Sequence, residues 1–325
     1  MSRVLLAKMR SLVAMVMLDH LFHVRALQTL PISANARHRH ATNAARSARI
    51  TCKPSCAAFH LSASGAMTDT EEVSVKKPVL SFPGGGIFFW WQAGAITALQ
   101  ERYDLSEVDF VGASAGALAA TLAACDADMN IAMTLALELC DTNEVWTRPL
   151  GLAGVWGGIV EDWLDDLLPN DADVICRNRV HLLVLGIWPL PFERRAVSDF
   201  VSKDDLIKSC MASVHIPYFM NNEFSAQYRG GSYVDGSFRA SLEDLSLGID
   251  RPTVYLDYER DEVMAERRGK FLSLTNKEGL LLMRQRGYDH VQAMLAEGEL
   301  DCLKGAALPA LRPMNHVAGA SREGA

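Results

Sequence analysis

Two apolar runs of strand length, "VLSF" (79–82) and "VDFVGA" (108–113), each end in a glycine-bearing turn and lead straight into a helix-forming segment. The alternation continues. "VHLLVLGIW" and "TVYLDY" read as further buried strands. Helices are expected over roughly 88–102, 116–125, 129–140, 159–169, 202–214 (with Ser202 as N-cap) and 276–295. "VWTRPLGLAGVWGG" (145–158) reads as irregular. Parallel neighbours need a crossover long enough to hold a helix, so alternation of this kind specifies an α/β class with a mostly parallel sheet covered on both faces. Such sheets present their chemistry at the carboxyl ends of the strands, where both glycine turns fall.

The net charge of -7 conceals an asymmetry: residues 1–68 carry nine Lys and Arg against the single acid Asp19, leaving the remainder at -15. A body so acidic is not expected to bind nucleic acid. Residues 1–72 are rich in Ala, Ser and Arg, the composition of a targeting leader to plastid (favoured) or mitochondrion; the alternative is a disordered arm that is kept. The run "LVAMVML" is too short to span a bilayer but could form the core of a secretory-type signal, with Cys56-Ala57-Ala58-Phe59 suiting a second cleavage zone. A catalytic domain is expected over 73–305 and a disordered tail over 306–325. The seven cysteines form no CxxC pair and no metal-like spacing with histidine, so buried free thiols are expected, with neither metal nor cofactor.

The second turn, Gly112-Ala113-Ser114-Ala115-Gly116, is G-x-S-x-G between a strand and a helix. A serine held on so sharp a bend needs small neighbours, and the following helix directs its positive end at the serine. A simple small-residue helix cap would read the same way. The first turn, Gly84-Gly85-Gly86, lacks the Lys-Ser/Thr of a phosphate loop and the spacing of a dinucleotide fingerprint. Its amides can instead converge above Ser114 as oxyanion donors, each such donor being worth on the order of 3 kcal/mol in a transition state. Of the aromatics that follow, Phe88, Phe89, Trp90 and Trp91, most are expected in the core, with one or two at the mouth of an acyl pocket. Asp235, in "GGSYVDGSF", is a candidate base; a carboxylate partly removed from water gains affinity for a proton. Asp-Gly is equally a common hairpin turn.

A glycine turn, then G-x-S-x-G starting 26 residues after Gly86, then Asp-Gly, resembles the patatin-like phospholipases. "SCMASVHIPYF", with its Ala212-Ser213-x-x-Ile216-Pro217 element, and "DWLDDLLPNDA" extend the resemblance over about 78–300. It implies a three-layer α/β/α fold and a Ser–Asp dyad without histidine. It implies Ser114 as nucleophile, Asp235 as base, Gly84, Gly85 and Gly86 as oxyanion hole, and Gly112 and Gly116 as the nucleophile elbow. The implied substrates are glycerolipid esters, met at a peripheral membrane or lipid-droplet surface. The charge of the body adds an expectation of neutral or zwitterionic lipids. The chain departs from the usual Asp-Gly-Gly in having Ser237 after Gly236, and Ile87-Phe88 replace the frequent Arg-Gly or Leu-Gly after the glycines. Two alternatives stand beside this reading. One is a Ser114–Asp235–His290 hydrolase triad, although His290 falls within a helical pattern and His215 beside Ile216-Pro217. The other is a lipid-binding protein without turnover.

Overall fold

The computed structural model describes residues 76–188, 192–241, 243–248 and 251–308. The expected leader over 1–72 and the tail from 309 onward lie outside the described residues. Seven strands form one sheet: β1 (Val79–Phe82), β2 (Asp109–Ala113), β3 (Val180–Trp188), β4 (Glu193–Val197), β5 (Ala226–Tyr228), β6 (Gly231–Val234) and β7 (Thr253–Tyr255). Their order is β5-β6-β3-β2-β1-β7, with β4 also paired to β3. The β7–β1, β1–β2 and β2–β3 pairs are parallel, whereas β4 and β6 run against β3. Four adjacent strands, β7-β1-β2-β3, are mutually parallel, so the sheet is mostly parallel, as the alternation of strands and helices requires, and the fold class is α/β.

The helices are α1 (Phe89–Gln100), α2 (Ala115–Ala124), α3 (Met129–Thr142), α4 (Trp156–Leu167), α5 (Ala172–Cys176), α6 (Lys203–Ser213), α7 (Glu262–Ala265) and α8 (Lys277–Glu297). Ser202 caps α6 by accepting the Asp205 amide at 3.1 Å. Side chains alternate across the strands. Leu80, Phe82, Phe110 and Leu182 join the main core with α1, α2 and α6, while Val79, Val111, Ala113 and Leu183 pack beneath Ala240 and Leu245 on the other face. The last described residues are tied down, Ala307 bridging to Tyr103 and the Leu308 amide donating to the Arg102 carbonyl at 2.8 Å.

Three strands are additions to the sequence reading, and a fourth is shorter than expected. β4, β5 and β6 are short or polar, with no apolar run to reveal them, and β6 decides where Asp235 lies. β3 continues past the level at which β2 stops: Ala113 lies opposite Leu183, and β6 pairs with the continuation, Leu185 opposite Val234. Running back along β3, β6 delivers the next residues, Asp235 and Gly236, to the level of Ala113 and Ser114. The strand expected over 253–258 ends at Tyr255, because Asp257 turns to cap a short 3-10 helix through the Glu259 amide at 2.9 Å.

Candidate active site

Ser114 sits between β2 and α2 with φ 55° and ψ -130°, a conformation costly for a residue with a side chain. The bend exists because α2 lies directly over the end of β1. A Cβ on Gly116 would run into the Phe82 and Pro83 carbonyls, and one on Gly112 would run into the Gly116 carbonyl. The serine Oγ donates to Asp235 Oδ2 at 2.6 Å, and the two residues are 7% and 8% exposed. A hydroxyl–carboxylate bond this short, screened from water, is the strong, charge-assisted kind.

The carboxylate is held by its backbone and by its turn. The Asp235 amide donates to the His215 carbonyl and the Gly236 amide to the Ser213 carbonyl, both at 2.9 Å. Asp235 Oδ1 accepts the Ser237 amide at 2.8 Å and the Ser237 hydroxyl at 2.6 Å. Ser213 joins the remaining parts: its Oγ accepts the Ser114 amide at 3.0 Å and donates to the Leu183 carbonyl at 2.7 Å. The start of α2, the end of α6, β3 and the Asp235 turn therefore meet at one hydroxyl. Sequence reasoning did not single out Ser213 or Ser237. The Ala212-Ser213-x-x-Ile216-Pro217 element carried the signal for the first; the serine in place of the second glycine carried it for the other.

The glycine turn closes over the serine. A Cβ built on Gly84 would lie 3.1 Å from Ser114 Cβ and 2.5 Å from Ser237 Cβ. Within the described residues the amides of Gly84, Gly85 and Gly86 donate to no other group, whereas the next amide, Ile87, is tied to the Phe271 carbonyl at 2.8 Å. Behind the turn, Tyr258 stacks on Phe88 with ring centroids 4.1 Å apart. Burial, and then the neighbouring Asp257, push the Glu259 carboxyl up to about 7.

Ser114 opens on an apolar cavity of about 810 Å³, its mouth included. Phe89, Trp90, Trp156, Trp163 and Met220 are among its walls. Of the four aromatics after the glycines, Phe89 and Trp90 face this space, while Phe88 and Trp91 are core residues at 1% and 0% exposure. The two histidine rings make their contacts elsewhere. His290 packs on Trp91 at 5.1 Å between ring centroids, and His215 Nε2 lies 3.3 Å from the Glu223 carbonyl. Burial holds both imidazoles below their ordinary pKa. Among the described residues no cluster of His, Cys, Asp and Glu could hold a metal, and no helix is long and apolar enough to cross a membrane.

The patatin-like phospholipase family model matches residues 80–243, half of the chain, and the chain belongs to that family. Omega-hydroxyceramide transacylase of Mus musculus is 28% identical over 179 residues, covering 54% of this chain and 29% of that protein. The 1-acylglycerol-3-phosphate O-acyltransferase Pnpla3 of Mus musculus is 29% identical over 163 residues, 48% of this chain and 38% of that protein. Patatin-like phospholipase domain-containing protein 4 of Homo sapiens is 27% identical over 180 residues, 52% of this chain and 68% of that protein. The chain thus spans about a third of the length of the first two.

Proposed function

We propose that the chain is a serine lipid acyl hydrolase that cleaves fatty-acyl ester bonds of glycerolipids. The observation that carries the reading is the 2.6 Å bond from Ser114 Oγ to Asp235 Oδ2 at the wall of an apolar cavity. As Ser114 Oγ attacks the ester carbonyl carbon, its proton passes to Asp235 Oδ2. The free amides of the 84–86 turn receive the oxyanion, with the positive end of α2 beneath. The carbon–oxygen bond to the glycerol side breaks, and the protonated carboxyl returns its proton to the leaving alkoxide. Water then gives a proton to Asp235 and attacks the acyl-enzyme; the bond from the acyl carbon to Ser114 Oγ breaks, the protonated carboxyl returns its proton to Oγ, and the fatty acid leaves.

A second reading is favoured by the relatives, two of which are named as acyl-transferring enzymes. An alcohol in place of water in the last step would turn hydrolysis into transacylation without any change at Ser114 or Asp235. On either reading the partner is a glycerolipid surface, and the acidity of the body supports a neutral or zwitterionic one. The test is Ser114→Ala against a glycerolipid panel with and without an alcohol acceptor. We expect loss of both free fatty acid and transferred acyl product, with the thermal unfolding temperature unchanged. Turnover surviving in that variant overturns the assignment. Failure of the unsubstituted protein to react with a fluorophosphonate at Ser114 would favour a lipid-binding protein without turnover.

A further inference from the structure

We infer that Ser237 is a positioning residue for the Asp235 carboxylate: its hydroxyl pins Oδ1 so that Oδ2 faces Ser114, and so sets how far into acid the carboxylate stays charged. The inference rests on the reading of Ser114 and Asp235 given above. The two Asp235 oxygens take different partners in the site: Oδ1 accepts the Ser237 amide at 2.8 Å and the Ser237 hydroxyl at 2.6 Å, and Oδ2 accepts Ser114 Oγ at 2.6 Å. Any residue but proline at 237 supplies the amide. Only a hydroxyl-bearing one supplies the second bond, and the Asp-Gly-Gly pattern that this chain otherwise resembles has no side chain there.

Two consequences follow from the chemistry. A hydrogen bond donated to a carboxylate favours its charged form, so the base keeps its charge to lower pH. The bond also fixes the torsion of the carboxyl plane, which decides whether Oδ2 or empty space faces the serine. Ser237 packs against the glycine turn as well, since a Cβ on Gly84 would lie 2.5 Å from Ser237 Cβ and 2.8 Å from its Oγ. The carboxylate, the serine and the amide loop are therefore in register through this one side chain.

Among the described residues, three further ionisable side chains stand near the carboxylate and its turn. From the turn after α6 comes His215, its ring 2% exposed and held below the ordinary imidazole pKa by burial. From α2 comes the uncharged Ser114, and the glycine turn adds no ionisable side chain. Further along the Asp235 turn stand Arg239, over the Phe238 ring at 5.7 Å, and the β4 residue Arg194, which bonds to the Phe238 carbonyl and pairs with Asp244 at 2.8 Å.

The experiment measures kcat/KM against pH on a water-soluble short-chain ester for the full chain and its Ser237→Ala, Ser237→Gly and Ser237→Thr variants, with Ser114→Ala beside them. We expect the acidic limb to move up by about one pH unit in the Ala and Gly variants, roughly a tenfold lower rate well below the limb. Rates above the limb change far less, and Thr, which keeps the hydroxyl, restores the limb. The pH dependence of fluorophosphonate labelling at Ser114 should move in parallel without any turnover. A uniform loss at every pH with the limb unmoved makes Ser237 a packing residue only and overturns the inference; so does an unchanged profile. If Ser114→Ala still turns over, the serine reading falls and takes this inference with it. An inactive Ser114→Ala with an unmoved limb removes the inference alone.

Discussion

At Ser114 two halves of one site meet, and they are built by opposite means. The polar half is fixed by backbone: the Asp235 amide on His215, the Gly236 amide on Ser213, and the Ser114 amide on Ser213 Oγ. Few atoms are involved, and each bond joins two particular atoms at a set distance. The apolar half presents side-chain surface instead. It is an area contributed by Leu118 of α2, Trp156 and Trp163 of α4, and Phe271 beyond α7, among others. One half is therefore intolerant of small chemical changes, while the other is graded and repackable.

The sharpest way to break this comparison is at the carboxylate. Asp235→Asn keeps the shape and an oxygen for the Ser237 amide but removes the proton acceptor. We expect a loss of roughly 10³–10⁴-fold in kcat/KM on any ester, with little change in KM or in thermal unfolding. A loss confined to long-chain esters would mean that the polar half serves binding rather than bond breaking.

The apolar half answers differently. Trp163 is 5% exposed, meets Phe89 edge-on at 5.4 Å, and donates Nε1–H to the Ala132 carbonyl at 2.8 Å. Trp163→Ala should cost about 3–5 kcal/mol of stability, read by denaturant unfolding, because it leaves a cavity where a packed ring had been. Its activity should be redistributed rather than lost. Across a series of esters of increasing acyl length, the optimum moves to longer chains as the cavity deepens. A uniform drop at all lengths would show that α4 supports the fold and does not bound the acyl chain.

The same contrast governs what the sequence disclosed. Ser114, Gly112, Gly116 and the 84–86 turn were legible because sharp backbone approaches admit only small residues at fixed spacing, and spacing survives in a linear string. Asp235 was legible as a carboxylate before glycine, but not its route to Ser114, which depends on β6. "GSYV" alternates half-buried and buried positions over only four residues and carries two small ones, so no periodicity marks it. The parallel strands β1, β2 and β3 were read correctly because they are buried on both faces and largely apolar, as β1 and most of β3 are. The cavity was out of reach: its walls come from segments up to some 185 residues apart, from Gly86 to Leu272, and nothing local in "VWTRPLGLAGVWGG" shows that Leu152 and Trp156 face the same space as Phe89. The aromatics after the glycines show the limit most clearly. All four adjacent residues join the core, and only Phe89 and Trp90 also face the cavity, a division set by the helical turn of α1 and the partners it meets.

The smallest effect is expected at the histidines, where the triad alternative can still be tested. His290 packs on Trp91, its Nε2 is buried without a partner among the described residues, and burial holds its pKa below the ordinary imidazole value. In the unfolded chain the ring takes up a proton as pH falls through about 6.5, while in the folded chain it resists until lower pH. Folding is therefore penalised progressively below about pH 6.5, by at most about 1.4 kcal/mol per pH unit for one proton. His290→Phe retains a ring against Trp91 and removes the proton, so the loss of stability between pH 7 and pH 5 should become shallower. It should not vanish, since burial displaces His181 and His215 in the same direction. Denaturant unfolding at several pH values reads the slope, and turnover at neutral pH should stay within a few-fold. A collapse of turnover at every pH with stability intact would place an imidazole in the chemistry, and a polar half that relied on His290 could no longer be contrasted with the wall as a two-residue device.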